Sequence, residues 1–468
     1  MRSISPFVVA LLAAAALVAA PSAGAAQDDS GGEPVGTIID EWAAAMAESL
    51  SRRWEGPVTE WPDPEPRPEA AGVVRSFEYP VNVHPGARVD AARVQRALEA
   101  LELAYAYMED HDWPAPMPDG GRGGTGGFDL YFVEGDGGDR PAFASYDVPH
   151  VHEGFDAVVP WAGVDSAEVS DDRLASCVVS AFAEATLLGI DPAEARSWRV
   201  ATADFLAWVI TGYFGCSERG VTEQQQQSWR SWIDAEGSGE GGALFLAMLS
   251  ARTDGLTGDF IRDLWTAAPQ RTWEGDQLRA APDMWQVVNA VMEVGDDPLP
   301  GFLEEVAISR YFAGPEVRRD HAPLGPLRSL PEDAAVPIRG RTAWNDLPRR
   351  FEPHGLEVEP YGSAYVLVDT SDAPPGSLLR IWLRGELGVG WALSAVRIAA
   401  NGRDRARVRA PVRPLNPRSY IPLELVDGDT EQVLIVVTNM GHRLVDADAP
   451  DDQVRSFRLI LDRGPTEE

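Results

Sequence analysis

The chain has 468 residues and a formal net charge of −33 at pH 7, from 73 acidic and 40 basic side chains. It contains no lysine, so every basic residue is arginine. An acidic chain of this kind is repelled by nucleic acid and by anionic membranes, which disfavours both as partners. The length predicts two or three domains.

The first 26 residues have the pattern of a cleaved secretory signal. Arg2 precedes the apolar run FVVALLAAAALVAA, and the small residues Ala23 to Ala26 follow. No later stretch is apolar and long enough to span a bilayer. We therefore expect an exported protein, either secreted or periplasmic. In an exported chain the two cysteines, Cys177 and Cys216, are expected to form a disulfide.

Composition then divides the chain into four parts. Residues 27–75 are acidic and proline-rich, as in a linker or arm. Residues 76–313 form an α+β domain, and residues 314–342 a second linker. Residues 343–465 form a β-sandwich domain. The predicted fold class is therefore a multidomain α+β protein.

A small sheet and one helix are predicted first in the α+β domain. Asp90 can cap a helix whose inner face includes Val94, Leu98, Leu101 and Met108. The strands are predicted at Ser76–Val83, Phe128–Val133 and Phe155–Val159, the second of them after the glycine-rich run GGRGGTGG.

Residues 171–216 predict a buried helical hairpin. The first helix starts after Asp171–Asp172, and Asp191–Pro192 opens the second, which is expected to end near Gly215–Cys216. Both cysteines lie in this hairpin, so the expected disulfide would clamp it.

Beyond the hairpin, apolar residues first recur at helical spacing and then at every second position, as in strands. Helices are predicted at Ala243–Leu249, Phe260–Trp265, Met284–Met292 and Phe302–Phe312. Strands of the sandwich are predicted at Ala364–Val368, Leu378–Leu383, Trp391–Ile398, Arg405–Val408, Tyr420–Val426, Gln432–Thr438 and Phe457–Leu461.

No helix carries the zinc-binding motif HExxH, in which two histidines four apart share one helix face. The nearest string, His152 to Asp156, contains Gly154 and leads into a predicted strand. His150 and His152 alternate on one face of an extended segment, where a solvated pair is favoured over a metal site. The string GSGEGG at Gly237 to Gly242 matches a dinucleotide fingerprint but lacks the preceding strand, so no nucleotide cofactor is expected.

The order of elements from Ser76 to Arg463 resembles secreted bacterial HExxH-type zinc metallopeptidase-like proteins, grouped with the gluzincins. The resemblance implies a mainly helical metallopeptidase-like domain with a small N-terminal sheet, and a jelly-roll-like sandwich. It aligns the motif helix with Ser180-Ala181-Phe182-Ala183-Glu184, and the third zinc ligand with Asp204 in DFLAW. Ser180 and Glu184 then replace the two histidines, and Ala181 replaces the catalytic glutamate.

Without a base at position 181, nothing in the motif takes the proton of a zinc-bound water. Glu184 and Asp204 remain as a weak oxygen site, so zinc is an open alternative to no cofactor. We expect the two carboxylates instead to pair with arginines such as Arg196 or Arg199. The sequence thus predicts an inactive binding or scaffold protein with a protein or peptide partner of unknown identity. The alternative is an active secreted hydrolase, a metal-dependent peptidase with non-standard ligands such as His150 or His152.

Overall fold

The computed structural model describes most of the chain from residue 58 onward. The described residues are 58–59, 64–70, 72–135, 140–152, 155–212, 214–233, 239–268, 278–279, 283–294, 298–312, 330, 334–352, 357–402, 404–410, 417–425, 430–442 and 453–464. The predicted signal peptide, residues 1–26, and the first part of the predicted arm, residues 27–57, lie outside the described residues.

The described part has a mixed α/β architecture. Its helices are α1 (Ala91–Asp110), α2 (Leu174–Ile190), α3 (Arg196–Thr211), α4 (Glu218–Gln226), α5 (Gly242–Thr253), α6 (Asp259–Ala267), α7 (Met284–Val294) and α8 (Leu299–Tyr311). Its strands are β1 (Val58–Thr59), β2 (Val74–Arg75), β3 (Val81–His84), β4 (Phe128–Val133), β5 (Ala142–His152), β6 (Phe155–Asp165), β7 (Leu278–Arg279), β8 (Ile338–Ala343), β9 (Arg349–Phe351), β10 (Ser363–Asp369), β11 (Ser377–Gly385), β12 (Gly390–Ala399), β13 (Asp404–Arg409), β14 (Arg418–Leu425), β15 (Thr430–Gly441) and β16 (Phe457–Gly464). None of the described helices has the length and apolar character needed to cross a membrane.

Two compact units can be distinguished. One unit consists of Trp54–Val287 together with Pro300–Glu468, and it contains all the sheets. The other consists of Met1–Arg53 and Val288–Leu299, of which the structure describes residues 288–294 and 298–299.

The N-terminal sheet has the strand order β2-β3-β4-β6-β5. Its centre is parallel, and β2 and β5 are antiparallel edge strands. The crossover from β3 to β4 is α1, whose N-cap Asp90 accepts a hydrogen bond from the backbone N–H of Arg93, as predicted. Residues 76–80 form a turn rather than the predicted strand, because the Ser76 hydroxyl accepts from the backbone N–H groups of Glu78 and Tyr79.

Strand β6 is longer than predicted, continuing through Pro160 to Asp165. Pro160 is tolerated inside the strand because it pairs with Tyr146 next to an irregularity in the register. The long β5–β6 hairpin ends the sheet and leads directly to the buried helices.

Helices α2 and α3 form the predicted hairpin, and the Cys177–Cys216 disulfide joins its ends, as predicted. Nearly every α2 residue is buried, because the helix packs on the sheet, on α1 and on α3. The predicted end of α3 was wrong. The helix stops at Thr211, where Gly212 adopts φ +87°, a left-handed C-cap that favours glycine.

The C-terminal residues form two sheets, ordered β13-β12-β15-β10-β8 and β14-β11-β16-β9. Residues of both sheets, among them Val366, Leu393, Ile381 and Leu459, share one hydrophobic core. The seven predicted strands are confirmed. Two were missed, β8 and β9, and β8 lies in the predicted linker 314–342.

The sheet β13-β12-β15-β10-β8 contacts helix α8 through polar groups. The Tyr365 hydroxyl donates to the Ala307 carbonyl at 2.7 Å, and the Ser394 hydroxyl donates to the Glu304 carboxylate. Trp229 packs against the core between the sheets. The predicted domain limits themselves remain predictions.

Candidate functional site

A buried arginine lies at the centre of the hairpin. Arg140 stands two residues before β5, and its side chain is only 1% exposed. Its guanidinium contacts three carboxylates: Nη1 lies 2.9 Å from Glu184 Oε2, Nη2 lies 2.9 Å from Asp204 Oδ1, and Nε lies 3.2 Å from Glu240 Oε1. Nη2 also lies 3.1 Å from Asp204 Oδ2. One cation therefore holds together carboxylates from three parts of the chain.

The helices α2 and α3 supply the predicted site residues. Ser180 and Glu184 are four residues apart on α2, so they share one helix face. Asp204 faces them from α3, and the Ser180 hydroxyl donates to Asp204 Oδ1 at 2.5 Å. Ala181 is also buried but offers only a methyl group. The structure thus brings Ser180, Glu184 and Asp204 together, with Arg140 between the two carboxylates.

The third carboxylate depends on a glycine turn before α5. Gly239 has φ +76°, and a Cβ at this position would lie 2.2 Å from the Ser197 carbonyl oxygen. Only glycine fits so close to α3 in this conformation. The turn directs the next residue, Glu240, toward Arg140.

Burial sets the protonation of the cluster. Burial lowers the pKa of Arg140, but the attraction of Asp204, Glu184 and Glu240 outweighs it, so the net pKa is raised and the guanidinium stays charged. Burial raises the pKa of Asp204 to about 7, against the opposing attraction of Arg140. Three carboxylates around one guanidinium have an excess of negative charge, which a proton on Asp204 reduces.

The two arginines predicted to pair with Glu184 and Asp204 are not their main partners. Arg196 Nε lies 3.9 Å from Glu184 Oε1, and its side chain is 53% exposed. Arg199 is buried and donates to the backbone carbonyls of Pro192 and Glu194 instead. Burial lowers the pKa of Arg199. The main partner of Glu184 and Asp204 is Arg140, which precedes Glu184 by 44 residues in the sequence.

A zinc ion does not fit this set of residues. The guanidinium occupies the space between Glu184 and Asp204, and Ser180, one turn before Glu184 on α2, offers a hydroxyl and no imidazole. Within the described ranges, no group of three or more His, Cys, Asp or Glu side chains is arranged to hold a metal ion. The geometry supports a structural ion cluster.

The histidines of the alternative hypothesis lie on the β5–β6 hairpin. His150 and His152 are in β5, so they are in a strand and not in a loop. Their side chains lie outside what the structure describes, as do residues 153–154 of the string His152 to Asp156.

Sequence reasoning missed Arg140 and Glu240. A glutamate and an aspartate in otherwise apolar helices indicate that a cation must be present. However, Arg140 is separated from Glu184 by 44 residues and from Glu240 by 100. No local spacing distinguishes it from the chain's other arginines.

A second buried ion cluster attaches part of the predicted arm to the sheet. Arg67 Nη1 lies 3.2 Å from Asp119 Oδ2 and also contacts Asp129. Arg67 Nε lies 3.0 Å from Asp147 Oδ2. Asp119 accepts hydrogen bonds from backbone N–H groups of the glycine-rich run. These contacts hold residues 64–70 and that run against the sheet.

Comparison with known proteins identifies no family. No family model matches the chain, and no curated protein matches it. Among solved structures, one match is a family GH115 4-O-methyl-α-glucuronidase with specificity for decorated arabinogalactans, at 7% identity. The match covers 75% of this chain and about half (54%) of that chain, and the TM-score is 0.15. A likeness this weak carries no argument about fold or function.

Proposed function

We propose that this protein is an exported, catalytically inactive metallopeptidase-like protein that acts as a binding or scaffold protein. In this proposal residues 76–313 form a metallopeptidase-like domain and residues 343–465 a jelly-roll-like sandwich. The observation that carries the proposal is the Arg140 guanidinium, bound to Glu184 and Asp204 at the point where the resemblance expects a zinc ion.

The chemistry of the two cations explains why activity would be lost while the fold is kept. A zinc ion holds its ligands together and also lowers the pKa of a bound water. A guanidinium also neutralises carboxylates, through charge-assisted hydrogen bonds, but it cannot bind water as a ligand. Arg140 therefore supplies the positive charge that the helices need, and no nucleophile.

The residue at the position of the catalytic glutamate supports the same conclusion. Ala181 is fully buried and cannot accept a proton. Ser180, at the position of the first histidine, donates its hydrogen to Asp204, which is at the position of the third ligand. The groups aligned with the zinc motif thus satisfy one another, as is expected of a structural core. The partner would be a protein or peptide, recognised elsewhere on the surface.

The test restores the motif in two forms. Both carry Ser180→His, Ala181→Glu, Glu184→His and Asp204→Glu, and only one also carries Arg140→Gly. We expect zinc to remain after dialysis only in the variant without Arg140, because the guanidinium competes with the metal for the same space. The variant that retains Arg140 is the matched control, and circular dichroism checks that both fold.

The unmodified protein gives the decisive comparison. We expect it to retain little zinc and to cleave a denatured casein substrate no faster than buffer does. Stoichiometric zinc, lost on Glu184→Ala together with a cleavage activity, would instead support the active hydrolase. Equal zinc binding with and without Arg140 would contradict the idea that the arginine replaces the metal.

A further inference from the structure

The outer face of the sheet β14-β11-β16-β9 is basic, in contrast to the rest of the chain. Five arginines lie on this face, Arg350, Arg380, Arg384, Arg418 and Arg458, against four acidic residues, Glu352, Glu386, Glu424 and Asp462. For the whole chain the ratio is reversed, with 73 acidic and 40 basic residues. A local excess of arginine on an acidic protein indicates a surface that attracts an anion.

Three of the arginines form a row across the sheet. Arg418 is directly opposite Arg384, which is directly opposite Arg458 on the next strand. Adjacent strands lie about 4.8 Å apart, so the row spans roughly 10 Å. Arg458 Nε lies 2.9 Å from Glu352 Oε1. Arg384, at the centre of the row, is therefore the arginine that an anionic ligand would contact.

A pair of aromatic side chains lies beside the row. Trp382 and Tyr420 are opposite each other one row along, and their ring centroids are 5.3 Å apart at an interplanar angle of 28°. Tyr420 is 43% exposed at the edge strand of the sheet, so one side of the pair is open to solvent. Exposed rings of this kind bind flat apolar surfaces.

A pocket of about 400 Å³ lies at the arginine end of the face. Its lining includes Arg384, Arg458, Glu352, Glu386 and Ser456. The pocket is wide open to solvent. The exposed Leu387 is next in sequence to the lining residue Glu386 and adds an apolar side chain near the rim.

The pocket contains a free cation and two carboxylates. In the part of the chain that the structure describes, Arg384 has no ion-pair or hydrogen-bond partner, and its side chain is exposed. Glu386 accepts from the Ser456 hydroxyl at 2.7 Å, and this hydrogen bond lowers the pKa of Glu386. Glu352 Oε1 lies 2.9 Å from Arg458 Nε. Each carboxylate still has lone pairs for a further donor.

We propose that this face binds an oligosaccharide that contains uronic acid. Arg384 would bind the sugar carboxylate, Glu352 and Glu386 would accept from its hydroxyl groups, and the Trp382–Tyr420 pair would contact a ring face. An acidic peptide fits less well, because its carboxylates would meet those of Glu352 and Glu386 without hydroxyl donors to satisfy them. A neutral sugar would leave Arg384 without its counter-ion.

This site lies on the two-sheet region and is independent of the proposed inactive hairpin. The test measures binding of oligomers of galacturonate, glucuronate and mannuronate to the full chain by calorimetry. The methyl-esterified galacturonate oligomer is the matched ligand, since it has the same rings without the charge. Polyglutamate tests the acidic peptide. We expect at least one uronate oligomer to bind, and its ester and polyglutamate to bind at least about tenfold more weakly, as loss of a charged hydrogen bond implies.

Variants locate the site. Arg384→Ala and Tyr420→Ala are each expected to weaken uronate binding about tenfold. Arg219→Ala is the control, because it removes the same charge from an exposed position on α4, away from this sheet. Thermal unfolding checks that all three variants fold. The proposal is wrong if no uronate oligomer binds, if the methyl ester or polyglutamate binds as well, or if Arg219→Ala weakens binding as much as Arg384→Ala does.

Discussion

Replacing Arg140 with alanine tests whether one guanidinium holds the hairpin together. The change leaves Glu184, Asp204 and Glu240 without their shared cation in a site where the first two side chains are at most 3% exposed. Breaking a buried ion pair by removing one partner costs about 3–5 kcal/mol. With three carboxylates around one arginine, we expect a loss at the upper end of that range, about 5 kcal/mol, at pH 8.

The loss should depend on pH in a defined direction. Without Arg140 the pKa values of the buried carboxyls rise, so the folded variant binds more protons than the unfolded chain does at pH 5. The free energy of unfolding of the variant therefore falls as pH rises from 5 to 8, and the deficit relative to the unmodified protein grows. A variant with Arg140→Met, Glu184→Gln and Asp204→Asn removes most of the stranded charge and should recover much of the stability.

Urea unfolding at pH 5 and pH 8, followed by circular dichroism, measures both effects. Arg88→Ala, which removes an exposed arginine 3.7 Å from Glu134, is the control and should leave the midpoint unchanged at both pH values. A cost of less than about 1 kcal/mol for Arg140→Ala at pH 8 would show that this guanidinium does not hold the buried carboxylates together.

Three further outcomes are expected in the same unfolding assay. Burial raises the pKa of Asp204 from 3.8 to about 7. Its contribution to stability is therefore greatest below pH 4 and is lost as pH rises toward 7, by at most roughly 4 kcal/mol. Asp204→Asn should reduce this dependence of the free energy of unfolding on pH. A thiol titration of the native protein should find no free cysteine. Replacing Cys177 and Cys216, which are 39 residues apart, with alanine should lower the free energy of unfolding by about 4 kcal/mol on the loop-entropy model. Tyr365→Phe removes the hydrogen bond to the Ala307 carbonyl and should cost about 1 kcal/mol, and an unchanged midpoint would show that this contact between helix and sheet contributes nothing.

Local pattern alone determined most of the secondary structure. The spacing of apolar residues, with capping and turn residues at the ends, predicts three helices and seven strands. These are α1 with its Asp90 cap, the two helices of the hairpin, and seven strands of the two-sheet region. With only two cysteines the disulfide pairing had one solution. Helix α4 and the edge strands β5, β8 and β9 were not predicted, and α3 stops at Gly212. The half-exposed sequence IRGRTA of β8 has no alternating apolar pattern.

Only the tertiary structure decided what the hairpin contains. The sequence indicated that Glu184 and Asp204 need a cation, but local spacing does not show which distant side chain supplies it. Arg140 reaches them because the β5–β6 hairpin brings the start of the edge strand next to α2, and Glu240 because the Gly239 turn passes close to α3. Likewise, the row of arginines on the outer sheet face exists only through strand register. Charged residues that are far apart in the sequence become neighbours through the fold. Whether a buried carboxylate binds a metal or an arginine therefore depends on which side chains the fold places beside it.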